Sequence, residues 1–141
     1  MMTKFDQVIY TAHTHVTGGR EGAGRSSDGA IDVKLSTPGA GRPGTNPEQL
    51  FGIGYSACFI VAVENAGRQV GVKLPKDAAI DAEVSLGKTD GGANYALGVT
   101  LKVRLPGLDA AVKRQLVETA HQTCPYSRSL RGNVDVQFEI L

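Results

Sequence analysis

The sequence has only two cysteines, no tryptophan, almost no net charge and no long run of apolar residues. Cys58 and Cys124 form no CxxC pair and cannot fill a zinc site by themselves. A net charge of +1 provides no strong field to attract nucleic acid or an anionic membrane. The longest apolar run, from Ala57 to Val63, is far shorter than a membrane span. We therefore expect neither nucleic acid nor a membrane as a partner.

The N-terminal residues also lack the apolar segment of a signal peptide, so the cytoplasm is the expected compartment. Thiols are kept reduced there, and a disulfide is more often catalytic or transient than structural. A chain of 141 residues is most simply one domain, residues 1–141, that buries a core without disulfides or a metal.

One stretch carries both a strong helix start and a thiol. Asn46 is a good N-cap, Pro47 suits the first helical position, and Gln49 can complete a capping box. The pattern predicts a helix that runs to about residue 70, with Gly71 as its stop. Cys58 then lies near the middle of this helix.

The remaining pattern predicts strands and one more helix. Alternating apolar residues separated by turn signals predict strands at 5–16, at 31–35, at 80–86, at 95–103 and at 134–140. Asp28-Gly29 is a hairpin signal just before residue 31, so the N-terminal strands are predicted to form a β-meander. Apolar residues at spacings of three and four predict a second helix from Leu108 to about Thr123, which Pro125 ends. Cys124 would lie at its C-terminal end. The order βββ-α-ββ-α-β predicts an α+β domain.

Each cysteine has a structural and a functional interpretation. Free cysteine is among the most buried residue types, so Cys58 can be a small core residue. If it is reactive, a mid-helix position gives it no helix N-terminus, and a cation such as Arg20 or Arg25 must lower its pKa. Cys124 can likewise be a helix-end residue without a role. The two can act as a pair only if the fold brings them together, which spacing cannot show.

The glycine-rich segment from Gly19 to Ser26 resembles a phosphate-binding P-loop only superficially. Arg25 stands where that motif requires lysine, and strand alternation follows where it requires a helix. Turns that need positive φ explain the glycines well, but they do not explain the arginines and Glu21 among them.

Two further sets of polar residues have competing interpretations. Glu48 can simply favour the helix dipole. It lies about 15 Å along the helix from Cys58, so it can act on that thiol only through an arginine or in a symmetry-related subunit. His13 and His15 lie on one face of a predicted strand, and with His121 they could bind a metal, but no fourth ligand is apparent.

Four motifs together resemble the organic hydroperoxide resistance (Ohr) family of the OsmC superfamily, over nearly the whole chain. They are Gly18-Gly19-Arg20-Glu21-Gly22, Asn46-Pro47-Glu48-Gln49-Leu50-Phe51, Tyr55-Ser56-Ala57-Cys58-Phe59 and His121-Gln122-Thr123-Cys124-Pro125-Tyr126-Ser127. The Cys-Pro-Tyr-Ser form is similar to the Ohr branch rather than to OsmC proper. Arg128 departs from the small residue that is more usual after this motif.

The resemblance implies an OsmC/Ohr-like fold of antiparallel β-sheets with two principal helices, in an intertwined homodimer with two interfacial active sites. It also implies a thiol peroxidase without metal, haem or flavin. Cys58 would be the peroxidatic cysteine, Cys124 the resolving cysteine, Arg20 the arginine that holds the thiolate, and Glu48 the carboxylate that orients Arg20. The substrates would be alkyl or lipid hydroperoxides, and a dithiol such as protein-bound dihydrolipoamide would be the reductant.

Two alternatives remain open at this stage. An OsmC-type peroxidase would accept a wider range of substrates. A non-enzymatic thiol sensor or ligand-binding protein would use the same cysteine pair to signal oxidation, without turnover.

Overall fold

A computed structural model describes residues 2–141 of the chain. These residues form two compact units, one ending at Pro47 and the other beginning at Glu48. The assignment of residues 1–141 to a single domain stays a prediction. The elements, in chain order, are the strands β1 (Thr14–Thr17), β2 (Ala23–Ser26) and β3 (Asp32–Lys34), the helix α1 (Pro47–Gln69), the strands β4 (Ala79–Thr89) and β5 (Asn94–Arg104), the helices α2 (Ala110–Thr123) and α3 (Pro125–Leu130), and the strand β6 (Asp135–Ile140).

The N-terminal unit is a three-stranded antiparallel sheet in the order β1-β2-β3. The predicted meander is therefore confirmed. Gly29 in the turn between β2 and β3 has φ 78°, and the Asp28 carboxylate accepts the backbone N–H of Ala30 at 3.0 Å. A glycine with positive φ and an aspartate that accepts a backbone N–H are both expected in an Asp-Gly hairpin turn.

The prediction of a strand over residues 5–16 is mostly wrong, because only the last part of it forms β1. Residues 2–13 have no strand conformation, and the side chains of Phe5, Ile9 and Tyr10 are exposed, Ile9 to 95%. Alternation of apolar residues favours a strand, but a strand also needs a neighbour that pairs with its backbone groups.

The glycine-rich segment is a turn that leads into a strand. A 3-10 turn, Gly19–Glu21, is followed by β2 and not by a helix, which excludes the P-loop interpretation. A Cβ atom added to Gly22 would lie 1.8 Å from the backbone oxygen of Thr17, so only glycine fits there. Glu21 pairs with Arg42 and accepts a hydrogen bond from Thr37. The Glu21 carboxylate thus holds the glycine-rich segment to the loop that follows β3.

The C-terminal unit packs helices on one three-stranded sheet in the order β4-β5-β6. Strands β4 and β5 form an antiparallel hairpin, as predicted, with register pairs from Ala79–Arg104 to Thr89–Asn94. Strand β6 pairs with β5 in parallel, so the largely antiparallel sheets that were expected include one parallel pair. Parallel neighbours need a crossover connection, and α2 with α3 supplies it.

Helix α1 is the centre of this unit. It begins at Pro47 and ends at Gln69, close to the predicted bounds, and Gly71 has φ 73° just beyond it. Its buried residues recur at spacings of three and four and face the central strand and α2. The fully buried large residues of the core are Tyr55, Phe59, Val63, Leu101, Val103 and Leu116.

By length and composition alone, α1 is also apolar enough to cross a membrane. Its most apolar 18-residue window has a mean hydropathy of 1.4, and 33% of that window is buried within the protein. This is weak evidence for a membrane span, since core helices of globular proteins have the same length and composition. The expectation that the protein has no membrane partner stays a prediction.

Candidate active site

The fold brings the two cysteines together. Cys58 lies in the middle of α1, and Cys124 follows the last residue of α2, 66 positions later in the chain. Their sulfur atoms are 3.6 Å apart, within the distance of a hydrogen bond between two thiols. Both are free thiols; Cys58 is half-buried and Cys124 is fully buried. A short approach of the two sulfurs would reach the bonding distance of about 2.05 Å.

Cys124 reaches this position because it joins two helices. Its backbone N–H donates to the carbonyl of Ala120 at 2.8 Å, which closes α2, and its own carbonyl accepts from Arg128 at 2.9 Å, which opens α3. Its φ of −60° and ψ of 125° are extended. That conformation is the one that a residue before proline prefers, so Pro125 both ends α2 and begins α3.

A backbone hydrogen bond and burial shift the pKa of the Cys58 thiol in opposite directions. Burial and the neighbouring Cys124 raise the pKa of the Cys58 thiol, while a hydrogen bond from the backbone N–H of Tyr126 lowers that pKa; burial is the largest effect, and the net shift is upward. The expectation that Cys58 gains nothing from a helix N-terminus is correct for α1 but incomplete, because Tyr126 lies in the first turn of α3. A reactive thiolate at neutral pH still requires a cation.

Aromatic side chains hold α3 against α1 beside the sulfurs. The rings of Tyr55 and Tyr126 are stacked with centroids 5.5 Å apart, and Phe51 meets both edge-on. Gly54 makes room for this contact, since a Cβ atom there would lie 2.6 Å from the Tyr126 hydroxyl. The Tyr126 ring therefore lies directly on the helix that carries Cys58.

Arg20 and Glu48 lie in different units of the structure. Arg20 is half-buried in the 3-10 turn Gly19–Glu21 of the N-terminal unit, and Arg25 is exposed on β2. Glu48 is half-buried in the first turn of α1, ten residues before Cys58 and so about 15 Å away along the helix axis. The roles of Arg20 and Glu48 stay predictions.

Among residues 2–141, no group of three or more histidine, cysteine, aspartate or glutamate side chains could hold a metal ion. His15 lies in β1 with His13 just before it, in the N-terminal unit, and His121 lies in α2 of the C-terminal unit. The three histidines therefore do not form the metal site that was considered from the sequence.

Comparison with known proteins identifies the family. The family described as OsmC-like protein matches residues 37–139. The organic hydroperoxide resistance protein of Xanthomonas axonopodis pv. citri is 50% identical over 139 residues, which is 96% of each chain. This chain belongs to the organic hydroperoxide resistance (Ohr) family of OsmC-like proteins. The resemblance inferred from the four motifs is thus confirmed.

Solved structures of Ohr proteins share the fold. The crystal structure of OhrB of Bacillus subtilis is 41% identical to this chain and covers 95% of it and 100% of its own length, with a TM-score of 0.89. An Ohr protein of Vibrio cholerae, solved with captopril in one of its active sites, is 39% identical, with a TM-score of 0.88 and coverage of 97% and 95%. These similarities confirm the predicted OsmC/Ohr-like α+β fold.

Sequence reasoning missed three residues of this candidate site. The backbone N–H of Tyr126 contacts Cys58, and the buried hydroxyls of Tyr55 and Ser127 bond to each other at 2.6 Å. All three depend on α3, which was not predicted. A proline is common at the first position of a helix as well as after the end of one, and Pro125 could have indicated the new helix.

Proposed function

We propose that this protein is a cysteine-based peroxidase that reduces organic hydroperoxides to alcohols. The observation that carries the proposal is the pair of free thiols 3.6 Å apart, one half-exposed and one buried. Relatives that match nearly the whole chain are named organic hydroperoxide resistance proteins. The apolar surroundings of Cys58, in the core-facing middle of α1, favour an alkyl or lipid hydroperoxide.

In the first step the Cys58 thiolate attacks the terminal oxygen of the hydroperoxide. The O–O bond breaks, the alkoxide takes up a proton and leaves as an alcohol, and Cys58 becomes a sulfenic acid. Because burial raises the pKa of Cys58, this step needs a neighbouring cation that stabilises the thiolate. We assign that charge to Arg20, with Glu48 as the carboxylate that orients it, as the Ohr resemblance implies.

In the second step Cys124 condenses with the sulfenic acid to form a disulfide and water. The short distance between the sulfurs supports this role, since a nearby thiol prevents further oxidation of Cys58. An external dithiol then reduces the disulfide by exchange. By resemblance the reductant is a lipoylated protein. Because each cycle consumes a reducing dithiol, the reducing environment of the cytoplasm suits the enzyme.

The functional unit in this proposal is a homodimer. Large apolar side chains are exposed on the extended N-terminal segment and on α1, and monomeric proteins rarely leave such surface uncovered. They include Phe5, Val8, Ile9, Tyr10, Ile53 and Val61, of which Ile53 is 70% exposed. A second copy of the chain could also supply the pairing partner that residues 5–13 need for the strand that their pattern predicts.

Thiol counting tests the proposal directly. Reduced protein receives one equivalent of cumene hydroperoxide, and free thiols and intact mass are measured before and after dihydrolipoamide is added. We expect the loss of two thiols and of about two mass units, both restored by the dithiol over repeated cycles. Cys58→Ser should abolish peroxide consumption, and Cys124→Ser should consume peroxide but accumulate over-oxidised protein. Two intact thiols in wild type under excess peroxide would refute the proposal.

The arginine role has its own test. Arg20→Lys keeps the charge but loses the planar guanidinium, so the rate of peroxide reduction should fall by about tenfold or more while the fold is kept. Arg25→Lys, on the exposed surface of β2, is the matched control and should leave the rate unchanged. Equal rates for Arg20→Lys and wild type would contradict the assignment.

The same pair of thiols also suits a redox sensor. An enzyme forms alcohol in large excess over protein when dithiol is supplied, whereas a sensor forms one equivalent. Comparison of cumene hydroperoxide with hydrogen peroxide separates an Ohr-type specificity from the wider range of an OsmC-type peroxidase, because only the former should strongly prefer the organic substrate.

A further inference from the structure

A buried pair of hydroxyl groups links the two helices that carry the cysteines. The Tyr55 hydroxyl and Ser127 Oγ are 2.6 Å apart, and both residues are completely buried. Buried hydroxyls without a partner are costly, so this pair is a strong local constraint. The peroxidase mechanism above does not use it.

The positions of the two hydroxyls match the positions of the two thiols. Tyr55 precedes Cys58 by three residues on α1, and Ser127 follows Cys124 by three residues in the first turn of α3. On a helix, residues three apart lie on neighbouring parts of one face. The hydroxyl bond therefore ties α1 to α3 within one turn of each sulfur.

This bond joins the side chains of α1 and α3, in addition to the hydrogen bond from the Tyr126 backbone N–H to Cys58, and aromatic rings surround it. The Tyr55 ring stacks on Tyr126 and meets Phe59 edge-on at 6.2 Å. Ring packing allows small sliding movements, whereas a hydrogen bond fixes a distance and a direction. Burial raises the pKa of Tyr55, so its hydroxyl keeps its proton at neutral pH.

We propose that Tyr55 is a positioning residue for disulfide formation, which holds α3 through Ser127 so that the Cys124 sulfur stays within reach of Cys58. The inference rests on the proposed function. In the step concerned, the Cys124 sulfur attacks the sulfenic sulfur of Cys58. The new S–S bond forms as the S–O bond breaks, and the leaving hydroxide takes the thiol proton and departs as water.

The test is Tyr55→Phe, which removes one oxygen atom and keeps the ring. Reduced protein is mixed with cumene hydroperoxide, quenched at intervals with a thiol-alkylating reagent, and analysed by mass for thiol, disulfide and sulfinic acid. We expect peroxide to be consumed at the wild-type rate, while disulfide formation slows about ten- to a hundredfold. Sulfinic acid, about 32 mass units heavier than the thiol, should accumulate as peroxide is raised.

Three further variants make the result specific. Ser127→Ala should produce the same defect from the other side, and the double variant should be no slower than either single one, since all three lack the same bond. Tyr95→Phe, on the exposed part of β5, is the matched control and should behave as wild type. The double variant also replaces both polar partners, so it should fold even if one single variant does not.

The outcomes separate the inference from the proposed function. If wild type forms no disulfide, the proposed function fails. If wild type forms it and Tyr55→Phe forms it at the same rate, only the positioning role fails. Equal slowing of peroxide consumption and of disulfide formation, or a lower melting temperature with unchanged partitioning between disulfide and sulfinic acid, would show a merely structural hydroxyl pair and overturn the inference.

Discussion

Formation of the Cys58–Cys124 disulfide should stabilise the folded protein by an amount that the structure lets us calculate. The bond would close a loop of 66 residues. In the chain-entropy model such a loop lowers the entropy of the unfolded chain enough to stabilise the folded state by about 4 kcal/mol. The sulfurs must move from 3.6 Å apart to about 2.05 Å, and the strain of this movement reduces the gain. We therefore expect a net stabilisation of about 2–4 kcal/mol.

Urea unfolding of the oxidised and the reduced protein, at one protein concentration, measures this difference. Free energies in water must be compared rather than midpoints alone, because a cross-linked unfolded chain exposes less surface and lowers the m-value. Cys124→Ser is the control, because it cannot form the bond and should show no stabilisation after peroxide with dithiol removed.

A second measurement checks the same quantity independently. By linkage, the folded disulfide should be harder to reduce than the same disulfide in the urea-unfolded chain, and 2–4 kcal/mol corresponds to about 40–90 mV. An oxidised form that is no more stable than the reduced form would refute the reasoning. It would mean that closing the gap between the sulfurs strains the native state by as much as the loop constrains the unfolded one.

Two further predictions concern stability rather than chemistry. Gly67→Ala should lower the free energy of unfolding by about 1–3 kcal/mol in urea titrations, because its Cβ would lie 2.5 Å from the backbone oxygen of Val72. Gly52→Ala, whose Cβ would lie 3.4 Å from its nearest neighbour, should be close to neutral, and equal effects of the two would contradict this. Burial, and less strongly the charge of Arg131, lowers the pKa of His121 below 6.5, so the unfolded chain binds the proton more readily and stability should fall as the pH drops through and below 6.5. His121→Gln should flatten this loss in unfolding curves between pH 7 and 5, and an unchanged slope would refute it.

Local signals predicted the elements that depend on neighbours in sequence. Pro47 and Gly71 bracket α1 closely, and strict alternation predicted the β4–β5 hairpin, although both strands extend beyond the predicted bounds. These features succeed because caps, turns and side-chain period act over a few residues. Motifs then identified the family and with it the cysteine pair.

The features that the sequence did not predict depend either on packing between residues that are distant in the chain or on a residue that has two structural roles. The distance between the sulfurs depends on how α2 packs, which periodicity does not encode. Pro125 both ends α2 and begins α3, and its role as a helix stop does not by itself predict α3 or the contacts of α3. Residues 5–13 alternate like a strand but have no pairing strand in the described chain. The parallel pairing of β6 follows from the α2–α3 crossover, not from its own residues.

The backbone holds the two neighbouring sulfurs in very different ways. Cys58 belongs to a 23-residue helix whose neighbours form the core, whereas Cys124 is a single extended residue between two helices. A change of one backbone angle at that residue moves its sulfur without breaking any turn of α1. In the proposed redox cycle, the backbone movement that joins the two sulfurs would therefore occur at Cys124 and leave α1 intact. If the proposed mechanism holds, substitutions in the parts of α1 away from Tyr55 would change thermal stability, whereas substitutions around Cys124 would change the rate of disulfide formation.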